Sequence, residues 1–145
     1  MTAAIAPNDR SETDDLLLEL LDMPISFQRC FVAITGKVTA ALLLSYLWWA
    51  AEERGPEPEG WIARPLDHIR DETGLSRDEL SSARRILRER AILEDRRRGM
   101  PPVVEFRIDR TRVAHLLVDQ VRRQRGACGL ESARNLQPLS HHLAH

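Results

Sequence analysis

Glu72-Thr73-Gly74-Leu75-Ser76-Arg77-Asp78-Glu79 is the stretch on which the fold turns. Gly74 marks a helix end, because glycine enters the left-handed conformation of a helix C-terminus without a side-chain penalty. Two residues later Ser76 opens the next helix, and Glu79 stands at the N3 position from which it can reach back and complete a capping box. Pro65, at N1, is read as the start of the first helix, Leu66 to Thr73. The second runs to about Arg90. Its apolar Leu80, Ala83 and Leu87 form one narrow stripe with Ile86 beside it, while Asp78, Ser81, Ser82, Arg85, Arg88 and Glu89 face away.

Beyond Arg90 the period of the pattern changes from 3.6 to 2. Residues 91–97 and 103–108 are β-compatible runs joined by Arg98-Gly99-Met100-Pro101-Pro102, which predicts a hairpin with a basic tip. Trp61-Ile62-Ala63-Arg64, after the Gly- and Pro-rich loop 55–60, predicts a short strand ahead of the helix pair.

Further upstream, Lys37 to Arg54 predicts the central core helix. Its Val38, Leu42, Leu43, Leu44, Leu47, Trp48, Trp49 and Ala51 cover nearly the whole circumference, so most sides must be buried. Tyr46, Trp48 and Trp49 are accordingly read as core rather than as a base-stacking platform, and Trp61 as a lid on that core. Before Gly36, Ser26 caps a helix over Phe27 to Ile34; earlier still, Ser11 and Asp14 precede Leu16, Leu17, Leu20 and Leu21, an acidic amphipathic helix stopped by Pro24. Residues 1–10 read as disordered.

After the hairpin, Asp109 or Thr111 caps a last helix with Val113, Leu116, Leu117, Gln120 and Val121 at helical spacing, ending near Arg125. The pattern is lost from Gly126 on. The organisation expected is an acidic arm at 1–24, one domain at 25–125 and a flexible tail at 126–145.

A chain of 145 residues, 43% apolar and 30% charged, has the balance of one soluble globular domain. Two cysteines without a CxxC pairing, an acidic cluster at Glu12, Asp14 and Asp15 where a secretory signal would be basic, and a longest apolar run of residues 38–51 point to a cytoplasmic protein with no membrane association. The net charge of −1 hides an asymmetry: residues 1–60 hold 4 basic and 10 acidic side chains, residues 61–125 hold 16 and 11. All basic residues but Lys37 are arginine, the residue suited to bidentate contact with phosphate and guanine, although a GC-rich genome gives the same composition.

No enzyme motif fits. Gly36-Lys37 resembles the end of a phosphate-binding loop, but that motif needs glycine where Phe31 stands and Ser or Thr where Val38 stands. No nucleophile elbow, HExxH or paired CxxC occurs, so no catalytic residue, metal site or cofactor is expected. His141, His142 and His145 near Cys128 lack acidic partners, and the Asp67-His68 pair is read as surface.

The order of elements predicts a mainly α fold with a small β-hairpin, a winged helix-turn-helix, whose second helix is of a size to enter the major groove of DNA. The chain resembles the winged helix-turn-helix modules of phages, plasmids and integrative elements, some of them replication-initiation or primosome-like. The resemblance spans residues 25–117 and rests on Ile34-Thr35-Gly36, residues 40–45, Gly60-Trp61, Glu72-Thr73-Gly74-Leu75-Ser76-Arg77, Ala83-Arg84, Ile92-Leu93-Glu94, Gly99-Met100-Pro101 and Phe106-Arg107-Ile108-Asp109. It implies a DNA-binding fold from a mobile element. Such modules often turn with glycine before the first wing strand; Ala91 stands there in this chain, so the helix is expected to run on.

The function expected is that of a DNA-binding transcriptional regulator or replication accessory factor, with double-stranded DNA and a second copy of the chain as partners. The alternative is a winged helix that binds or inhibits a host or phage protein. The candidate DNA-binding residues are Arg64, Ser76, Arg77, Ser81, Ser82, Arg84, Arg85, Arg88, Arg96, Arg97 and Arg98. Against them stands the bland reading, a solvated surface in which Glu89, Glu94 and Asp95 pair with these arginines.

Overall fold

A computed structural model describes residues 7–21, 25–54 and 60–135, with side chains described over 11–21, 25–53 and 60–127. The elements are α1 (Pro7–Leu21), α2 (Arg29–Thr35), α3 (Val38–Arg54), β1 (Ile62–Ala63), α4 (Leu66–Thr73), α5 (Arg77–Glu89), β2 (Leu93–Arg98), β3 (Val103–Ile108) and α6 (Arg110–Asn135). This is a winged helix-turn-helix: α4 and α5 form the helix pair, β2 and β3 the wing, and β1 closes a three-stranded antiparallel sheet in the order β1-β3-β2.

Packing explains why α3 is central. Ala40, Ala41, Leu43, Leu44, Leu47 and Ala50 are fully buried, and α3 lies against α2 on one side and α5 on another. The stripe Leu80, Ala83 and Leu87 supplies the contact from α5. Phe106, central in the sheet and fully buried, pairs in register with both Ile62 and Asp95. α6 packs on α2 and buries Val113.

The backbone signals of the turn hold. Gly74 sits at φ 73° and its N–H donates to Arg70 O at 2.8 Å. Ser76 Oγ accepts from Glu79 N, and Glu79 Oε2 accepts from Ser76 N, so the capping box is complete. Leu75, between the two helices, is buried and anchors the turn in the core. Pro65 precedes α4 as its N-cap, with extended backbone, one position earlier than N1.

Other expectations are corrected. α1 starts at Pro7 rather than after Ser11, so residues 7–10 are helical; residues 1–6 lie outside the described part. α2 starts at Arg29 rather than Phe27, with Gln28 and not Ser26 as its N-cap: Gln28 has extended backbone at ψ 115°, and its N–H donates to Ser45 Oγ of α3. The strand before α4 is Ile62–Ala63, shorter than residues 61–64. α5 does not run on past Arg90, since Ala91 turns the chain at φ 57° and Ile92 N returns to Leu87 O.

Asp109 is the cap of α6, its carboxylate accepting from Arg112 N, and the helix continues through Gly126 to Asn135. Helical hydrogen bonding survives the two glycines, Gly126 and Gly129, at a cost of about 1 kcal/mol each, so loss of the apolar pattern did not end it. Trp49 is 51% exposed and Val38 57%, so one side of α3 is open rather than core. The histidines at 141, 142 and 145 lie outside the described residues.

Candidate nucleic-acid interface

α5 presents one side to solvent because the other is anchored by Leu80, Ala83 and Leu87. Arg77, Ser81, Arg85 and Arg88 are all exposed on it, at positions that fall within about one quadrant of a helix turning 100° per residue. Arg77 has no carboxylate partner among the described residues. Arg85 has only a loose contact, Nε to Glu89 Oε1 at 3.9 Å, with both side chains well exposed.

Beside this face the wing is locked to α5 by one carboxylate. Arg84 Nε and Nη2 donate to Asp95 Oδ2 at 2.9 and 2.6 Å, and Arg88 Nη1 donates to the same oxygen at 3.0 Å. Burial by itself would push the Asp95 carboxyl up, but the two guanidiniums outweigh it and hold the group below the ordinary range. Arg84 also lies 5.8 Å from the Phe106 ring centroid.

The candidate residues therefore separate. Arg84 is half-buried and committed to the wing, and the Ser76 hydroxyl is committed to the cap. Ser82 is half-buried. Arg88 shares Asp95 yet keeps its side chain 45% exposed. Arg97 lies two residues beyond Asp95 on the same face of β2, and Arg98 follows on the other face; both are exposed, with no carboxylate partner among the described residues. Arg64 is half-buried beside β3, with its N–H donating to Val104 O and its Nε buried without a hydrogen-bond partner.

Arg96 does not join them. It stands opposite Glu105 in the β-ladder and donates to it at 2.6 Å, with its guanidinium 3.8 Å from the Trp61 ring centroid. Arg107 lies 4.6 Å from the same ring and pairs with Glu94. Trp61 is thus held between two guanidiniums on the outer face of the sheet, not laid over the core. Sequence reasoning named Asp95 only as an arginine partner on a solvated surface, not as the half-buried organiser of the wing, and missed Arg107 altogether. The signal was the period of 2, which puts Asp95 on the Phe106 side of β2 and Glu94 and Arg96 on the other.

A second polar tie fixes α4 on α3. Tyr46 Oη donates to Glu72, whose other oxygen meets His68 Nε2 at 2.7 Å. Burial first, then the bond to Glu72, raises the Tyr46 phenol to about 12; the bond from Tyr46 is the main cause holding Glu72 low. Among the described residues no cluster of His, Cys, Asp or Glu could hold a metal ion, and no helix is long and apolar enough to cross a membrane.

No protein-family model matches the chain, and no curated protein matches it. Among solved structures it is similar to a protein described as a "Possible transcriptional regulator from Methanosarcina mazei Go1", with 16% identity, a TM-score of 0.48, and coverage of 72% of this chain and 84% of that one.

Proposed function

We propose that the protein binds duplex DNA, with α5 in the major groove and the β2–β3 wing against the backbone, as a transcription regulator or a replication accessory factor. The observation that carries this reading is the exposed row Arg77, Ser81, Arg85 and Arg88 on a well-capped helix, next to a wing that ends in Arg97 and Arg98, which have no carboxylate partner among the described residues. One α-helix fills the major groove of B-DNA, and guanidiniums there read guanine edges while those on a wing neutralise phosphates. The mobile-element setting rests on the sequence resemblance alone.

A single short helix covers few base pairs, so the proposal includes a homodimer that places two copies of α5 on two half-sites. The test is a mobility shift of the full chain with generic duplex and with duplex selected from a random pool, at about 50 and 200 mM salt. Binding that falls steeply with salt, and is tighter on selected DNA, supports the reading. No shift on either duplex at the lower salt overturns it and favours a protein partner instead.

A further inference from the structure

α1 carries five leucines with nothing to bury them: Leu16, Leu17, Leu18, Leu20 and Leu21 are between 48% and 79% exposed. All but Leu18 share one side of the helix, flanked by Glu12 and Glu19 on one edge and Asp14 on the other, with no basic partner among the described residues. Burying a leucine side chain is worth roughly 1.5–3 kcal/mol, so an exposed row of this kind marks a contact surface.

A surface of opposite charge lies on α6. Ala114, Val118, Val121 and Arg125 recur at spacings of four, three and four on an exposed side about a third of a turn round from Val113, and Val118 and Val121 are 47% and 46% exposed. Arg122, Arg123 and Arg125 are exposed and have no carboxylate partner among the described residues. Spacing of four and three is the seam of two packed helices, with the charges beside it choosing the partner.

We infer that α1 of one copy docks its leucine row on the Val118/Val121 stripe of α6 of a second copy, with Glu12, Asp14 and Glu19 against Arg122 and Arg125. The opposite charges select this pairing over α1 on α1, which would set carboxylates against carboxylates. The open patch of α3 around Trp49 is a poorer seat, because Glu52 and Glu53 lie beside it. Within one chain both rows are exposed, so neither covers the other, and the contact is reciprocal across a two-fold axis. This inference rests on the homodimer reading and names its contact.

The experiment uses the full chain with Cys30→Ser and Cys128→Ser, since Cys30 is exposed and free. Chains carrying Leu17→Cys and chains carrying Val121→Cys are mixed and oxidised, and the mixed disulfide dimer is expected as the main product. Sedimentation equilibrium of the unsubstituted chain is expected to show a dimer that weakens with salt, and Leu17→Asp with Leu20→Asp to weaken it by about tenfold or more. Those positions are exposed, so the circular dichroism of the domain should not change. A dimer that survives the double substitution overturns the α1–α6 contact and leaves the dimer standing. A monomeric unsubstituted chain overturns both. If one chain with both cysteines closes on itself and gives no disulfide dimer, the contact is within the chain and the inference is wrong.

Discussion

Arg84 and Asp95 join α5 to the wing: two nitrogens of the guanidinium on α5 reach one carboxylate oxygen on β2, at 2.9 and 2.6 Å, where only 17% and 9% of the two side chains remain exposed. The pair ties the hairpin to the helix, with Arg88 as an outer strut.

Asp95→Ala should cost about 1–3 kcal/mol at neutral pH, most of it through Arg84, since Arg88 is nearly half exposed and its share is screened by solvent. The Asp95 carboxyl is held lower in the folded state than in the unfolded chain. Its contribution is therefore complete above the unfolded value of about 4 and is lost as pH falls through that region and below. Asp95→Asn should show a flatter acid limb, though not a level one, because Glu72 is also held low. Urea unfolding from pH 7 to about 3 checks both; an Asn variant with an unchanged acid limb would count against the pair.

Ser76→Ala should destabilise the domain by about 1 kcal/mol, the usual worth of an N-cap, because it orphans Glu79 N at the start of α5. Thermal or chemical unfolding gives the number. A loss below about 0.3 kcal/mol would mean that packing of Leu75 and Leu80 holds this helix end without the cap.

Ala91→Gly and Gly74→Ala should move stability in opposite directions. Both positions have positive φ, 57° and 73°, a conformation that costs a residue with a Cβ about 1–2 kcal/mol. Glycine at 91 removes that strain and should leave the domain as stable or more so. Alanine at 74 adds it with no clash, since a Cβ there meets nothing within 4 Å. Gly36→Ala should be worse than Gly74→Ala, because its Cβ would come within 3.3 Å of Arg90 Nη2, on a side chain held by Ile34 O. Melting temperatures of the three variants rank them directly.

If DNA is the ligand, Arg85→Ala should lose about 1–3 kcal/mol on a selected site and much less on random duplex, as a base contact does. Arg97→Ala and Arg98→Ala should weaken both duplexes alike and lower the salt slope by about one unit per phosphate contact removed. Fluorescence anisotropy across a salt series separates the two kinds of arginine. Flat results for all three would return the surface to the solvated reading.

The sequence by itself determined the helix pair, its cap, its glycine turn and the wing, because each is governed by local backbone energetics: Gly74 by its missing Cβ, Ser76 and Glu79 by their distance from orphan N–H groups, residues 93–108 by alternation. It also put Leu80, Ala83 and Leu87 on the buried face, since a 3.6-residue period leaves little choice. What it left open was which charges are spent. Arg84 and Arg85 are neighbours, yet one is half-buried against Asp95 eleven residues on and the other stands in solvent. Arg96 and Arg97 are neighbours too, and the pleat sends one onto Trp61 and Glu105 and leaves the other exposed. Those assignments depend on how the hairpin lies on α5 and on the β-ladder register, which long-range packing around Phe106 decides. The same holds for the start of α2, where Gln28 is tied to Ser45 of α3, and for Ala91, forced into a strained turn by Ile92 and Leu93 burying themselves in the core.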